Sequence, residues 1–406
     1  MARTKAVLGS GARLTDYLST SLLARIYPAS VINELLDAHQ CNSRRERSFP
    51  ASAVVYYCMA LSLYPEAAYA DVFDAVAQGI AWRNHSTTPQ SIKASSISVA
   101  RSRLSWPVFK NLQEVVCQPL ADEATCPQAF YRGLRLMAID GSNFEVPDEA
   151  DNVTAFGYPG SRTGVAGYPQ AQCAVLVEYA THVIVAANIA AYRVSEWSVC
   201  KPLLTSLNAS TLCLADRGFN GYEHWCAAKA TGSQLLWRCA VNRQLPVIKS
   251  LGDGSFLSVI RPTTGPLRKD KSAEVTVRVI EYILPGTQGA ETRYRLLTTL
   301  LDEQQAPALE LAALYHERWE VESVFDELKT HLLQRRRTLR SKTADLVRQE
   351  FYGWVLAHYA VRWLMYTAAT EHEGVPRKLS FVANVQLLRR AQPQSGAFPP
   401  SASTSA

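Results

Sequence analysis

The sequence lacks paired cysteines. Its nine cysteines stand singly, with no C-x-x-C pair and no histidine cluster at the spacing of a zinc site. Because their number is odd, a complete disulfide framework is not expected, and the thiols should pack as small hydrophobic groups in a reducing compartment. The sequence therefore argues against a disulfide-rich secreted protein and against a cysteine-based zinc protein.

Long uninterrupted apolar runs are also missing. The stretch Ala51–Leu63 is too short for a membrane span, and Ala171–Tyr192 is interrupted by Glu178 and His182. The first residues contain no apolar core of a secretory signal. We therefore expect a cytoplasmic protein that has neither a targeting segment nor a membrane-spanning segment.

The sequence has no P-loop, no G-x-G-x-x-G motif and no nucleophile elbow, so these nucleotide and acyl-transfer chemistries are not indicated. Its 406 residues, 48% hydrophobic and 19% charged, are typical of a folded chain with two or three domains. A formal net charge of +6 permits a nucleic-acid partner without requiring one. The position of the charges is therefore more informative than their sum.

Helical periodicity from Thr15 to about Ala121 predicts an all-helical N-terminal domain over residues 1–125. Within it, two helical patterns are separated at Trp106-Pro107. This pattern fits a DNA-binding helix-turn-helix, and an ordinary helical bundle explains it equally well. Both interpretations stay open on the sequence alone.

From Leu134 the pattern changes to short β-runs and amphipathic helices in the order β-β-β-α-β-α-β. This order predicts an α/β catalytic domain over residues 130–350 and favours a ribonuclease H-like sheet among several α/β folds. A β-strand insertion is predicted at about 248–307. Beyond the catalytic domain we expect a helical region at 351–390 and a disordered tail at 391–406.

Three carboxylates are the candidate catalytic residues. Asp140 follows the predicted strand Leu134–Ile139, and Asp216 follows the predicted strand Thr211–Ala215. Either aspartate alone is more often a turn former or a helix cap. Together with Glu322 from a predicted helix they form an acidic cluster, whose repulsion a hard divalent cation such as magnesium or manganese would relieve. Two such ions can promote in-line displacement at a phosphodiester.

The helix that carries Glu322 has a polar stripe. At about 100° per residue, Tyr315, Arg318, Glu322 and Lys329 fall close together beside an apolar arc. A ladder of salt bridges on a solvated helix face is the alternative explanation. Asp326 lies near the same stripe and is the local rival of Glu322.

These residues resemble the DDE transposases of the insertion element 4 type, which are transposases of bacterial insertion sequences. The signature Tyr-x2-Arg-x3-Glu-x6-Lys of that family is matched, with every spacing intact, by the four stripe residues from Tyr315 to Lys329. The two acidic motifs of the family resemble residues 138–144 and 214–219, and the helical domain that precedes them resembles Leu35–Trp82. The resemblance covers roughly residues 20 to 370.

The resemblance implies cut-and-paste DNA transposition in the bacterial cytoplasm, with the protein on the nucleoid when it is bound to DNA. It implies a homodimer in the synaptic complex, with the terminal inverted repeats and target DNA as partners. By this resemblance, two Mg2+ ions are held by Asp140, Asp216 and Glu322, and Mn2+ is expected to substitute for Mg2+. The residues implied to grip phosphates are Tyr315, Arg318 and Lys329.

A basic segment follows the signature helix. Seven basic and two acidic residues lie between Glu327 and Arg348, a net charge of +5. We expect the run Arg335, Arg336 and Arg337 to extend the phosphate-binding surface, while a solvated basic face is the alternative.

The predicted insertion differs from that of family members that form DNA hairpins. Those members stack a tryptophan of the insertion on a flipped base, whereas no tryptophan lies between Val241 and Pro307 here. Tyr282, Tyr294 and Phe256 are the aromatic candidates in its place. Two further functions also stay open: a structure-directed nuclease or resolvase of the same fold, and a catalytically silent DNA-binding protein derived from a transposase.

Overall fold

The structure is a computed structural model, and its description covers residues 22–43, 49–83, 92–161, 164–165, 167–219, 221–262, 270–283, 293–316, 320–333, 338–372, 374, 376 and 379–390. These residues fall into two compact units. The first unit comprises the described residues up to Gln118, the segment Glu145–Pro169 and the described residues from Asp326 onward. The second unit comprises the described residues of Pro119–Phe144 and Gln170–Phe325.

Residues 22–26 are helical. The α-helices that follow in the described residues are α1 (Ala29–Ala38), α2 (Ala51–Leu63), α3 (Tyr69–Arg83), α4 (Ala94–Ser102), α5 (Pro107–Val116), α6 (Ala150–Phe156), α7 (Glu196–Cys200), α8 (Tyr222–Lys229), α9 (Ala308–His316), α10 (Glu320–Asp326), α11 (Ala344–Glu371) and α12 (Phe381–Arg390). The break predicted at Trp106-Pro107 is confirmed, since α5 begins at Pro107, where a missing backbone N–H is tolerated. None of the helices in the described part of the chain combines the length and apolarity needed to cross a membrane.

The strands are β1 (Phe130–Tyr131), β2 (Leu134–Glu145), β3 (Gly160–Ser161), β4 (Gly164–Val165), β5 (Gln170–Glu178), β6 (Ile184–Ala191), β7 (Thr211–Ala215), β8 (Gln234–Cys239), β9 (Lys249–Ser250), β10 (Phe256–Ile260), β11 (Val275–Ile283) and β12 (Arg293–Thr298). In the described residues, the main sheet has the order β6-β5-β2-β7-β8-β12-β11-β10-β9, with β1 paired to β2. The chain is therefore a mixed α/β protein with one large sheet in its second unit.

Parallel pairing at the centre of this sheet positions the acidic residues. β7 pairs in parallel with both β2 and β8, and all five of its residues are buried. A short, continuously apolar strand of this kind is typical of a central parallel strand. The bounds predicted for this strand, Thr211–Ala215, are confirmed.

The predicted β insertion extends the same sheet. Its last strand, β12, pairs antiparallel with β8, and β11, β10 and β9 follow in order. Direct opposition of Leu297 and Trp237 continues the apolar layer from β8 into the insertion. The insertion therefore shares a hydrogen-bond ladder with the parallel strands.

Two predicted elements differ from the structure in their bounds. The strand predicted to end at Ile139 continues as β2 to Glu145, and β2 is hydrogen-bonded to β5 on the side opposite β7. The first amphipathic helix predicted in the α/β region ends at Cys200 and continues as a 3-10 helix, since Pro202 cannot donate an α-helical hydrogen bond.

In the first unit, α2 and α11 approach so closely that one glycine is required. Residues Ala53–Leu63 of α2 are buried on every side. A Cβ atom at Gly353 of α11 would lie only 2.9 Å from the carbonyl oxygen of Cys58 in α2. Backbone atoms cannot rotate away as a side chain can, so the two helices would have to separate.

We therefore expect Gly353→Ala to destabilise the protein although alanine favours helices. Overpacking costs about 1–3 kcal/mol, and the gain in helix propensity recovers at most about 1 kcal/mol. Urea unfolding should show a net loss of about 1–2 kcal/mol, with a larger loss for Gly353→Val. Unchanged or increased stability of both variants would show that the helices separate at little cost.

Candidate active site

Asp140 and Asp216 lie on neighbouring parallel strands at matching positions. Ala138 of β2 pairs with Leu214 of β7, and each aspartate lies two residues beyond this pair. Both aspartates are partly buried. The prediction that Asp140 ends its strand is wrong, because β2 continues to Glu145. Asp140 lies instead where β2 extends past the end of its partner β7.

The backbone after each aspartate binds its carboxylate. The amide of Gly141 donates to Oδ1 of Asp140 at 2.9 Å, and the amide of Gly218 donates to Oδ1 of Asp216 at 2.7 Å. Gly218 belongs to a short 3-10 turn, Arg217–Phe219, that directly follows Asp216. These charge-assisted bonds hold both carboxylates close to their own strands.

A third carboxylate, that of Glu196, lies beside the two aspartates and was not predicted. A Cβ atom at Gly141 would lie 2.9 Å from Cγ of Glu196 and closer still to its Oε1. A Cβ atom at Gly218 would lie 3.3 Å from Oε2 of Glu196 and 3.0 Å from Oδ1 of Asp216. The two glycines that follow the aspartates therefore leave the space that the Glu196 side chain occupies.

The charges of these residues act on one another. Partial burial, and next the negative charge of Asp216, raise the pKa of Glu196 above its ordinary value. Burial also raises the pKa of the Cys200 thiol, and the charges of Glu196 and Asp140 raise it further. The site is therefore an acidic, partly desolvated group of carboxylates.

Tyr315 supports the site from α9. Its side chain is buried, and its hydroxyl donates to the carbonyl oxygen of Ala215 at 3.2 Å. Ala215 directly precedes Asp216, so the tyrosine links α9 to the end of β7. The predicted phosphate contact of Tyr315 stays a prediction.

Glu322 is exposed on α10 in the second unit, whereas Lys329 is partly buried and belongs to the first. Arg318 and the run Arg335–Arg337 lie outside the described residues, as does the tail 391–406. Within the described ranges, no group of three or more histidine, cysteine, aspartate or glutamate side chains is arranged so that it could hold a metal ion. The joint metal-binding role of Asp140, Asp216 and Glu322 stays a prediction.

Lys329 lies on a turn with an unusual hydrogen-bond pattern. The helix predicted to carry both Glu322 and Lys329 becomes a π-helix over Glu327–Leu332. At the start of this turn, the buried carboxylate of Glu327 accepts from Nε of Arg362 at 3.0 Å and lies 2.8 Å from Nε2 of His358. π-helical turns often occur at functional sites. Because the segment becomes π-helical at Glu327, the rotation of 100° per residue that an α-helix has does not hold from Glu322 to Lys329.

Two of the three aromatic candidates in the insertion stack on each other. Tyr282 and Tyr294 are paired across β11 and β12, with ring centroids 5.3 Å apart and planes 15° apart. The guanidinium of Arg238 lies 4.4 Å from the centroid of the Tyr294 ring. Burial, and next the neighbouring Tyr294, raise the pKa of Tyr282 to about 12. Arg238, Tyr294 and Tyr282 thus form a continuous stack on neighbouring strands.

Comparison with known proteins identifies the family. Residues 131–360 match the family described as the transposase DDE domain, and residues 18–114 match the insertion element 4 transposase N-terminal family. The chain belongs to the DDE transposases. Within this class it is of the insertion element 4 type, and the resemblance stated from its motifs is confirmed.

Two curated proteins and one solved structure illustrate the similarity. The chain is 30% identical over 302 residues to the transposase InsG for insertion sequence element IS4 of Escherichia coli (strain K12), covering 74% of this chain and 67% of that protein. It is 22% identical over 161 residues to the putative transposase y4zB of Sinorhizobium fredii, covering 39% and 43% of the two chains. A cryo-EM structure of the piggyBac transposase synaptic complex with hairpin DNA is similar with a TM-score of 0.47 and 9% identity, over 94% of this chain and 83% of that chain.

Proposed function

We propose that the protein catalyses cut-and-paste transposition of its own insertion sequence. In this proposal it binds the terminal inverted repeats, cleaves the DNA there and joins the ends to target DNA. The observation that carries the proposal is the position of Asp140 and Asp216, each two residues beyond the Ala138–Leu214 pair of adjacent parallel strands. The order β6-β5-β2-β7-β8 further supports a ribonuclease H-like catalytic sheet.

The donor chemistry fits divalent cations. Carboxylate oxygens are the ligands that Mg2+ and Mn2+ prefer, and the charge of Asp216 already acts on the neighbouring Glu196. Asp140, Asp216 and Glu322 would together hold two ions. For this, the side chain of Glu322 would have to move to the two aspartates when the ions bind. When bound, the ions would activate the attacking hydroxyl and stabilise charge on the phosphodiester.

The basic residues of the signature would bind the DNA backbone. Arg318 can make two parallel hydrogen bonds to one phosphate, while Lys329 acts as a point charge. Arg335, Arg336 and Arg337 would continue this contact along the DNA. Tyr315 would orient α9 at the end of β7 through its bond to Ala215. We place the protein on the bacterial nucleoid, where two copies would pair the transposon ends.

The test uses purified full-length protein, Mg2+ and a linear DNA that carries the inverted repeats flanking its gene, together with a supercoiled target plasmid. We expect cleavage at the outer edge of both repeats and joining of the cleaved ends to the plasmid. Binding of the repeats without any nick would favour the catalytically silent protein. Cleavage of branched DNA without joining would favour the structure-directed nuclease.

A further inference from the structure

The part of the signature that carries Lys329 is a turn that is wider than a turn of α-helix. The segment Glu327–Leu332 is π-helical, and the same pattern continues into Leu333, whose amide donates to the carbonyl oxygen of Leu328 at 3.2 Å. Hydrogen bonds between residues five apart are rare and occur mostly as single turns inside α-helices. Such a turn therefore needs support from the contacts around it.

The buried side chains of this turn have the spacing of a π-helix. Glu327 and Leu332 are both buried, and so are Leu328 and Leu333. The two members of each pair are five residues apart in the sequence. In an α-helix, residues five apart point about 140° away from each other, whereas in a π-helix they are hydrogen-bonding neighbours of successive turns. The π form therefore lets both members of each pair face the interior.

Glu327 is tied to helix α11 at the start of the turn. Nε of Arg362 donates to Oε2 of Glu327 at 3.0 Å, and Nη2 of the same guanidinium donates to Oε1, so the pair is bidentate. Nε2 of His358, one turn earlier in α11, lies 2.8 Å from Oε2. All three side chains are buried. Because an unpaired buried charge is costly, the buried position of Glu327 depends on these partners.

A third helix covers the pair. Phe381, the first residue of α12, is buried, and its ring centroid lies 5.3 Å from the centroid of the His358 ring and 5.3 Å from Cζ of Arg362. A buried ion pair contributes little net stability compared with apolar side chains of similar volume. In some proteins such a pair instead selects one conformation among several. Here the conformation that it would select is the π turn.

Lys329 lies two positions after Glu327 on the same turn and is partly buried. We propose that Glu327 is a positioning residue for Lys329, because its pairing with Arg362 holds the turn in the π form and thereby fixes the direction of the Lys329 side chain. This inference rests on the proposed function, in which Lys329 contacts a DNA phosphate. Since Glu327 is buried, it acts through Lys329 and does not touch the DNA itself.

A double-mutant cycle between Glu327→Gln and Lys329→Met tests this inference. Glutamine has the shape of glutamate but lacks the charge that pairs with Arg362. The measurement is single-turnover cleavage by the full-length protein with Mg2+, at saturating transposon-end DNA and well below every thermal midpoint. We expect Glu327→Gln to slow cleavage about tenfold or more, because displacement of a positioned group is costly. Combined with Lys329→Met, it should slow cleavage by less than about twofold further.

Thermal unfolding separates positioning from a purely structural role. Glu327→Gln should lower the thermal midpoint equally with and without Lys329→Met, because its buried contacts do not include Lys329. Gly353→Ala is the control, since it destabilises α11 at its contact with α2 and not at the π turn. We expect Gly353→Ala to lower the midpoint while cleavage stays at the wild-type rate. Equal slowing by Glu327→Gln in both Lys329 backgrounds would overturn the inference.

A second variant serves if Glu327→Gln does not fold. Glu327→Met combined with Arg362→Met removes both charges, and apolar side chains of similar size are tolerated at buried ion pairs. Cleavage at the wild-type rate by this folded variant would overturn the inference. If Lys329→Met alone cleaves as wild type, the proposed phosphate contact and this inference fail together. If Asp216→Asn cleaves as wild type, the proposed function fails, whereas an additive cycle removes only this inference.

Discussion

Asp216→Asn is expected to lower the rate of DNA cleavage at least about thousandfold, equivalent to about 4 kcal/mol in the activation free energy. The amide has the shape of the carboxylate and can still accept the 2.7 Å hydrogen bond from Gly218. It lacks the negative charge that makes a carboxylate a much stronger ligand of a divalent cation than a neutral amide. The fold and the binding of transposon-end DNA should therefore persist while the chemistry is lost.

Asp122→Asn is the matched control. Asp122 belongs to the same unit, is exposed, and accepts from the amide two residues further on at 2.9 Å, as Asp216 does from Gly218. Gel-shift assays, cleavage rates and thermal midpoints should be measured for both variants. The same loss is expected for Asp140→Asn and Glu322→Gln. Cleavage by Asp216→Asn within tenfold of wild type would contradict its proposed role.

The second large effect concerns stability. Glu327→Ala is expected to lower the free energy of unfolding by about 3–5 kcal/mol, because it leaves the buried guanidinium of Arg362 without its counter-charge. The ring of His358 would lose its 2.8 Å partner as well. Urea unfolding of the full-length protein measures this change.

A surface ion pair of the same unit provides the comparison. Glu114 lies 3.4 Å from Lys110 on an exposed face of α5, so Glu114→Ala should cost only about 0.3–0.5 kcal/mol. Combining Glu327→Ala with Arg362→Ala should cost less than the sum of the two single substitutions, because both charges of the pair are then absent. Additive losses of unfolding free energy would show that the interaction between Glu327 and Arg362 does not itself stabilise the protein.

The catalytic sheet was predictable where its strands are apolar. The residues Thr211–Ala215 form a short apolar run that directly precedes Asp216, and this run is β7 with the predicted bounds. β2 was predicted too short because Ser142 and Asn143 interrupt its apolar pattern, while its extension depends on pairing with β5. Strand pairing between distant segments has no local signal.

The site itself was only partly predictable for the same reason. Asp140 and Asp216 were predicted as site residues from their motifs, whereas Glu196, which lies beside them, looks in sequence like any acidic residue in the first turn of a helix. The position of Glu196 becomes visible only in the fold, where its side chain lies against Gly141 and Gly218. A π-helical turn likewise has no simple sequence pattern, so a helical wheel could not position Lys329.

The pairing of β12 with β8 has a mechanical consequence. Two strand spacings, about 10 Å, separate β7, which leads to Asp216, from β12, which carries Tyr294. Both strands belong to one continuous hydrogen-bonded sheet, so the sheet holds the tyrosine stack at a fixed distance from Asp216. With the proposed catalytic role of Asp216, we therefore expect bound DNA, and not the sheet, to bend or unstack when it contacts both Asp216 and the tyrosine stack.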